Sequence, residues 1–119
     1  MSDTNLKKTG APAGAVTPPA HILFSAIRLA GRVDSQIADC SVAWIAPGGG
    51  GPEPDHAHKH DHLFVVLSGC IKVRMDGNET TLNEHQSILV PGACVHSVWN
   101  ASSYPAKVLG ISLDGSEQE

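Results

Sequence analysis

Aromatic side chains are scarce in this chain of 119 residues: Phe24, Trp44, Phe64, Trp99 and Tyr104 are the full set. A core built from it must rest on Val, Ile, Leu and Ala. Charge is scarce too, at 17% of residues with a net of −4, and the eight Lys and Arg are scattered with Lys7-Lys8 as the only adjacent pair. Nucleic-acid binding needs a basic face, so that class of partner is excluded. No apolar run approaches the roughly 18 residues that a membrane-spanning helix requires. Leu6-Lys7-Lys8-Thr9-Gly10 interrupts any apolar signal core near the start, so the expected location is the cytoplasm. The three cysteines, Cys40, Cys70 and Cys94, are odd in number and form no CxxC pair. Buried free thiols are the expectation for them rather than a nucleophile.

What the chain does contain is β-type pattern and turn residues. Residues 1–20 are rich in Ala, Gly, Pro, Thr and Ser and read as a flexible arm, and 114–119 as a polar tail. Between them, residues 21–113 break into short runs with β-branched character: Ile22–Ala30, Ile37–Ala46, His62–Ser68, Ile71–Met75, Thr80–Asn83, Ser87–Val90, Val95–Asn100 and Ala106–Leu113. Ser68-Gly69, Asp76-Gly77-Asn78 and Pro91-Gly92 punctuate them where hairpins need φ > 0. Eight evenly spaced short strands predict an all-β domain, either sandwich or barrel, and barrel closure removes exposed edges. A domain this small gains from a bound ion or a subunit interface, and a homodimer is expected.

Four of the seven histidines fall in His56-Ala57-His58-Lys59-His60-Asp61-His62, all at even positions. On one straight strand His56 and His62 would stand about 20 Å apart at roughly 3.3 Å per residue. Ligands of one ion must instead bring their nitrogens to within about 2.1 Å of it. The chain must therefore turn between His58 and His62, and Lys59-His60-Asp61 is polar enough to do so. His56 and His58 project from one face as an i, i+2 pair. A solvated tract that binds metal adventitiously is the bland alternative. The flanks oppose it: Pro47-Gly48-Gly49-Gly50-Gly51-Pro52 reads as a flexible loop leading in, and Leu63-Phe64-Val65-Val66-Leu67 as a buried strand leading out.

These residues resemble the two motifs of the cupin family, over about residues 36–113. Gly50, His56-x-His58, His62 in the place of the usual Glu, and Gly69 match the first; Pro91, His96 and Asn100 match the second. His85 stands where the second motif has its first Gly, and Ala93 takes the Gly position of Pro-x-Gly. The resemblance implies a jelly-roll β-barrel (a double-stranded β-helix) with one divalent transition-metal ion, Mn, Fe, Zn or Ni, on His56, His58, His62 and His96. Ligand type alone does not select among these metals.

Four neutral imidazoles leave the full +2 charge of the ion, which favours an anionic or enolisable substrate group. The implied activity is a metal-dependent enzyme acting on a small organic molecule, dioxygenase-like. A redox-neutral Lewis-acid cyclase or isomerase, or a ligand-binding cupin without turnover, stands as the alternative. By parity Phe64 and Val66 share the face of His62, and Val98 and Asn100 that of His96, so all four are expected to line the interior. Trp44 either walls the pocket or packs in the core. His60 is expected at an exposed turn, and His21 and His85 at the surface. No interior acid can be named as the general base.

Overall fold

The structure, a computed structural model, describes residues 8–31, 36–57 and 59–114. Eight strands account for most of them: β1 (Ile22–Ala30), β2 (Ile37–His56), β3 (Asp61–Ser68), β4 (Ile71–Met75), β5 (Asn78–Leu82), β6 (Ser87–Val90), β7 (His96–Asn100) and β8 (Ala106–Leu113). They form one sheet in the order β5-β4-β7-β2-β8-β3-β6, with β1 added beside β2. Every pairing is antiparallel. The sheet curls into a nearly closed barrel because β2 serves both of its halves. The first part of β2 pairs with β8 and β1, and its last part, from Gly50 onward, pairs with β7. No helix among the described residues is long and apolar enough to cross a membrane.

Local chemistry explains the turns. Asp76 and Gly77 both have positive φ, 50° and 88°, between the paired residues Met75 and Asn78. That is the two-residue hairpin whose twist matches its flanking strands. The turn before β7 is held by a side chain from another strand: Asp61 Oδ1 accepts a hydrogen bond from the Gly92 amide at 2.8 Å.

The core is aliphatic, as the shortage of aromatics requires. Ile45, Val66, Ile71, Val73 and Val90 are fully buried, with Leu82, Val98, Ala106 and Val108 packed among them. Each large member contributes roughly 1.5–3 kcal/mol of burial.

Two expectations change here. The glycine run Gly48–Gly51 is not a flexible loop but part of the single long strand β2. Of the supposed arm, residues 8–20 are laid against β1. Val16 and Ala26 exchange backbone hydrogen bonds of 2.7 and 2.9 Å, Thr9 Oγ1 lies 3.3 Å from Ser25 Oγ, and Thr9 and Ala15 are buried. The tail after Asp114 lies outside the described residues.

Asn100 ties three segments together. Its Nδ2 donates to the carbonyls of Ile45 (2.8 Å) and Tyr104 (2.6 Å), and its Oδ1 accepts from the Ser102 amide at 2.7 Å. Asn100→Ala strands these groups and is expected to cost about 1–3 kcal/mol in urea unfolding. An unchanged urea midpoint would refute this bracing role.

Candidate functional site

The end of β2 and the start of β7 carry two of the four candidate ligands. His56 and His96 are direct cross-strand partners, so their side chains leave the same face of the sheet. Their neighbours Asp55 and Ser97 leave the opposite face. There Asp55 Oδ1 accepts from Arg74 Nη1 at 3.2 Å and from Ser97 Oγ at 3.0 Å, while Trp99 Nε1 donates to Ser97 Oγ at 2.8 Å. This network lies behind the histidine pair and holds its register.

His96 is 2% exposed. Its Nδ1 lies 3.1 Å from the Cys94 carbonyl, which can only accept, so Nδ1 carries the proton and Nε2 the lone pair. His62 is the second residue of β3, paired with Ser112 of β8, and its Nδ1 lies 3.2 Å from Ser112 Oγ. The two rings meet with centroids 5.4 Å apart, and Phe64 stacks on His62 at 5.8 Å and 16°. His56 is exposed, and His58 lies outside the described residues. The structure thus brings His62 and His96 together and places His56 in register beside His96. Among the described residues no three His, Cys, Asp or Glu side chains are grouped closely enough to hold an ion.

The donor chemistry nonetheless fits a divalent transition metal. Imidazole nitrogens are its natural ligands, and a ring whose other nitrogen is tied to a carbonyl or hydroxyl oxygen is the usual supported form of such a ligand.

His62 and His96 form one wall of a cavity of about 260 Å³ inside the barrel. Phe24, Phe64, Ile45, Val98 and Val108 supply its apolar surface; Asp39, Ser41 and Ser112 are polar members. No Lys or Arg is among the described residues that line it. Asp39 is engaged by Arg28, whose Nε donates to it at 2.8 Å.

Phe64 and Val98 lie on the pocket wall, but Trp44, Val66 and Asn100 do not. In the first half of β2 the lining residues are Asp39, Ser41, Ala43 and Ile45, the parity opposite to that of Trp44. Trp44 sits on the other face, with Lys107 Nζ 5.5 Å from its ring centroid. Val66 lies deeper, in the aliphatic core, and Asn100 is turned to the carbonyls described above.

His21 is a correction to the surface reading. It lines the pocket, with its ring 4.4 Å from that of Phe24. Burial pushes its pKa below the ordinary histidine value; a hydrogen bond to the Pro19 carbonyl opposes this, and the charge of His56 adds to it. His21 is therefore neutral at pH 7. No local sequence signal marks it, because the segment that carries it reaches the pocket only through the tertiary fold.

His60 is half-buried rather than exposed, with Nδ1 2.9 Å from Asp114 Oδ1. His85 is at the surface, beside Glu84. The three cysteines are free, as expected, but half-buried rather than buried. Asp76 accepts a hydrogen bond from the Cys94 thiol at 3.1 Å and raises its pKa, the reverse of what a nucleophile needs.

A family model for the cupin domain (Cupin_2) matches residues 42–112, more than half of the chain. The chain belongs to the cupin family. Mannose-1-phosphate guanylyltransferase of Klebsiella pneumoniae is 34% identical over 67 residues, which are 56% of this cupin but 14% of that protein. The chain thus spans a small fraction of the curated relatives it matches. Among solved structures, plu4264 protein from Photorhabdus luminescens superposes with a TM-score of 0.70 at 18% identity, over 87% of this chain and 83% of that one. The polyketide cyclase RemF from Streptomyces resistomycificus gives 0.69 at 17%, over 84% and 72%. At these identities the likeness shows the fold.

Proposed function

We propose that this cupin binds one divalent transition-metal ion through His56, His58, His62 and His96 and acts on a small, enolisable, largely apolar molecule in the barrel cavity. The observation that carries this reading is the meeting of His62 and His96 on one wall of an apolar pocket, each ring held by an oxygen at Nδ1. The cavity lies just below the roughly 300–1,000 Å³ usual for ligand sites, so the molecule is small. A sugar phosphate, which the name of the mannose-1-phosphate guanylyltransferase relatives suggests, fits poorly, because its phosphate calls for Arg or Lys.

An ion held by these histidines would supply a Lewis acid of charge +2 for negative charge developing on a substrate oxygen. The protein does the rest. Phe24, Phe64 and Val98 enclose the apolar body and exclude water, which strengthens electrostatic contacts at the reacting oxygen. Ser112 and the Cys94 carbonyl hold the two imidazoles in their orientations.

A dioxygenase-like reaction is our first reading. A redox-neutral cyclisation or isomerisation is the second, favoured by the all-imidazole donor set: without a carboxylate ligand, reaching a higher oxidation state is harder. Oxygen consumption by Fe(II)- or Mn(II)-loaded protein with 1,3-diketone and catechol probes separates them. Uptake matched to substrate loss supports the first reading; conversion without uptake supports the second. Binding without conversion under any of the four metals would leave a ligand-binding cupin and sink both. Protons compete with the ion for imidazole nitrogen, so metal content at equilibrium is expected to fall as pH is lowered. Metal analysis after dialysis across a pH series checks this, and pH-independent content would contradict it.

A further inference from the structure

The glycine run of β2 has a structural cause that points to His21. The segment leading into β1 is clamped across it: the Glu53 amide donates to the Ala20 carbonyl at 2.9 Å, and Ile22 pairs with Gly50. A Cβ on Gly49 would stand 2.6 Å from the Ile22 carbonyl oxygen, and one on Gly51 would stand 2.9 Å from Cα, Cγ and Cδ2 of His21. Only glycines let the segment lie this close. Ala20 and Leu23, with φ of 65° and 48°, bend the backbone on either side of His21. The bend delivers the ring into the cavity that His62 and His96 also line.

The ring's chemistry is set by its contacts. Nδ1 lies 2.8 Å from the Pro19 carbonyl, an acceptor only, so Nδ1 carries the proton and Nε2 is the acceptor nitrogen. Phe24 packs against the ring and limits its movement. The cavity therefore combines an apolar surround, a carboxylate already engaged by Arg28, no lining Lys or Arg among the described residues, and, apart from the His62 and His96 pair, a third imidazole aligned by its own backbone.

We propose that His21 recognises the ligand: its Nε2 accepts a hydrogen bond from a hydroxyl of a small, uncharged, mainly apolar enol or phenol bound in the barrel. This deepens the function proposed above and rests on the cavity being the substrate site, while the His21 contact itself does not require the ion. A ligand lacking the hydroxyl donor gains nothing from His21. A carboxylate or phosphate ester is disfavoured, since Nε2 offers it no proton.

The test uses the full chain at neutral pH with two fluorescent probes, 1-naphthol and its methyl ether, in EDTA and again with Mn(II). His21→Phe keeps the ring and removes the acceptor; His21→Gln keeps an acceptor. We expect His21→Phe to weaken 1-naphthol about tenfold, the scale of one buried hydrogen bond. Binding of the ether is expected to stay within about twofold, His21→Gln to recover part of the naphthol affinity, and Mn(II) affinity to match the native protein in both variants. Equal losses for the two probes would reduce His21 to packing and overturn the proposal, as would failure of 1-naphthol to bind the native chain. A loss of Mn(II) affinity in both variants would make His21 a metal ligand and overturn it too. If the native chain takes up no Mn(II) yet His21→Phe still discriminates the probes in EDTA, the recognition role stands and the metal reading falls.

Discussion

Replacing His96 with alanine is expected to lower affinity for Mn(II), Fe(II), Ni(II) or Zn(II) at least 100-fold. His96 lies between the other candidate ligands, as cross-strand partner of His56 and with its ring 5.4 Å from that of His62. Loss of a supporting outer-shell group alone typically costs 10- to 100-fold, and removing a ligand costs more. The residue is also 2% exposed, so its truncation leaves a void, and stability of the metal-free variant is expected to drop as well. His56→Ala separates the two effects. His56 is exposed, so its loss should weaken metal binding with little change in metal-free stability. Competition titration against a chromophoric chelator, beside urea unfolding in EDTA, measures both. If His96→Ala binds metal as tightly as the native chain, the 56–62 tract binds the ion unaided and the barrel site is wrong.

Gly50→Ala is expected to be the most destabilising small substitution in the chain. Gly50 has φ +154°, and a Cβ there would collide with the Val98 carbonyl and stand 2.6 Å from the Trp99 ring. Neither obstacle can move cheaply. Val98 and Trp99 belong to β7, and the Trp99 indole is tied to Ser97, which in turn is bonded to Asp55. We expect a loss of about 4 kcal/mol, which for a domain of this size lowers Tm by roughly 15 °C. Gly77→Ala is the control. It also has positive φ, at 88°, but open space around its Cβ position, so its cost should be about 1 kcal/mol. Equal costs for the two would mean that backbone strain, and not the contact with β7, governs the glycine run.

Much of this was legible in the sequence because it is local. Alternation placed the strands, and Asp76-Gly77 announced its own turn. The spacing of His56, His58, His62 and His96 carried the family resemblance, and His62 and His96 do meet at the cavity. What was not legible depends on the far side of a contact. The glycines of β2 look like a loop until the segment at His21 and strand β7 are seen against them. Trp44, expected to wall the pocket or pack in the core, does not line the pocket for a similar reason. Apolar residues are ordinarily expected to point inward, yet Asp39, Ser41 and Ala43 line the cavity while Cys40, Val42 and Trp44 have the opposite parity. A barrel that holds a ligand must leave space, so its inner face can be the smaller and more polar one. His21 was missed because a lone histidine before a strand has no periodic partner. His60 shares the parity of the tract but is paired to Asp114 at the end of β8.

The proposed site places one ion between β2, β3 and β7. Anomalous diffraction recorded at the Mn, Fe, Ni and Zn edges, from crystals of protein purified without an affinity tag, tests it most directly. A single peak is expected about 2.1 Å from Nε2 of both His62 and His96, with His56 and His58 completing the set and at least one coordination position open toward the cavity. No peak at any edge, or a peak on the 56–62 tract away from His96, would contradict it.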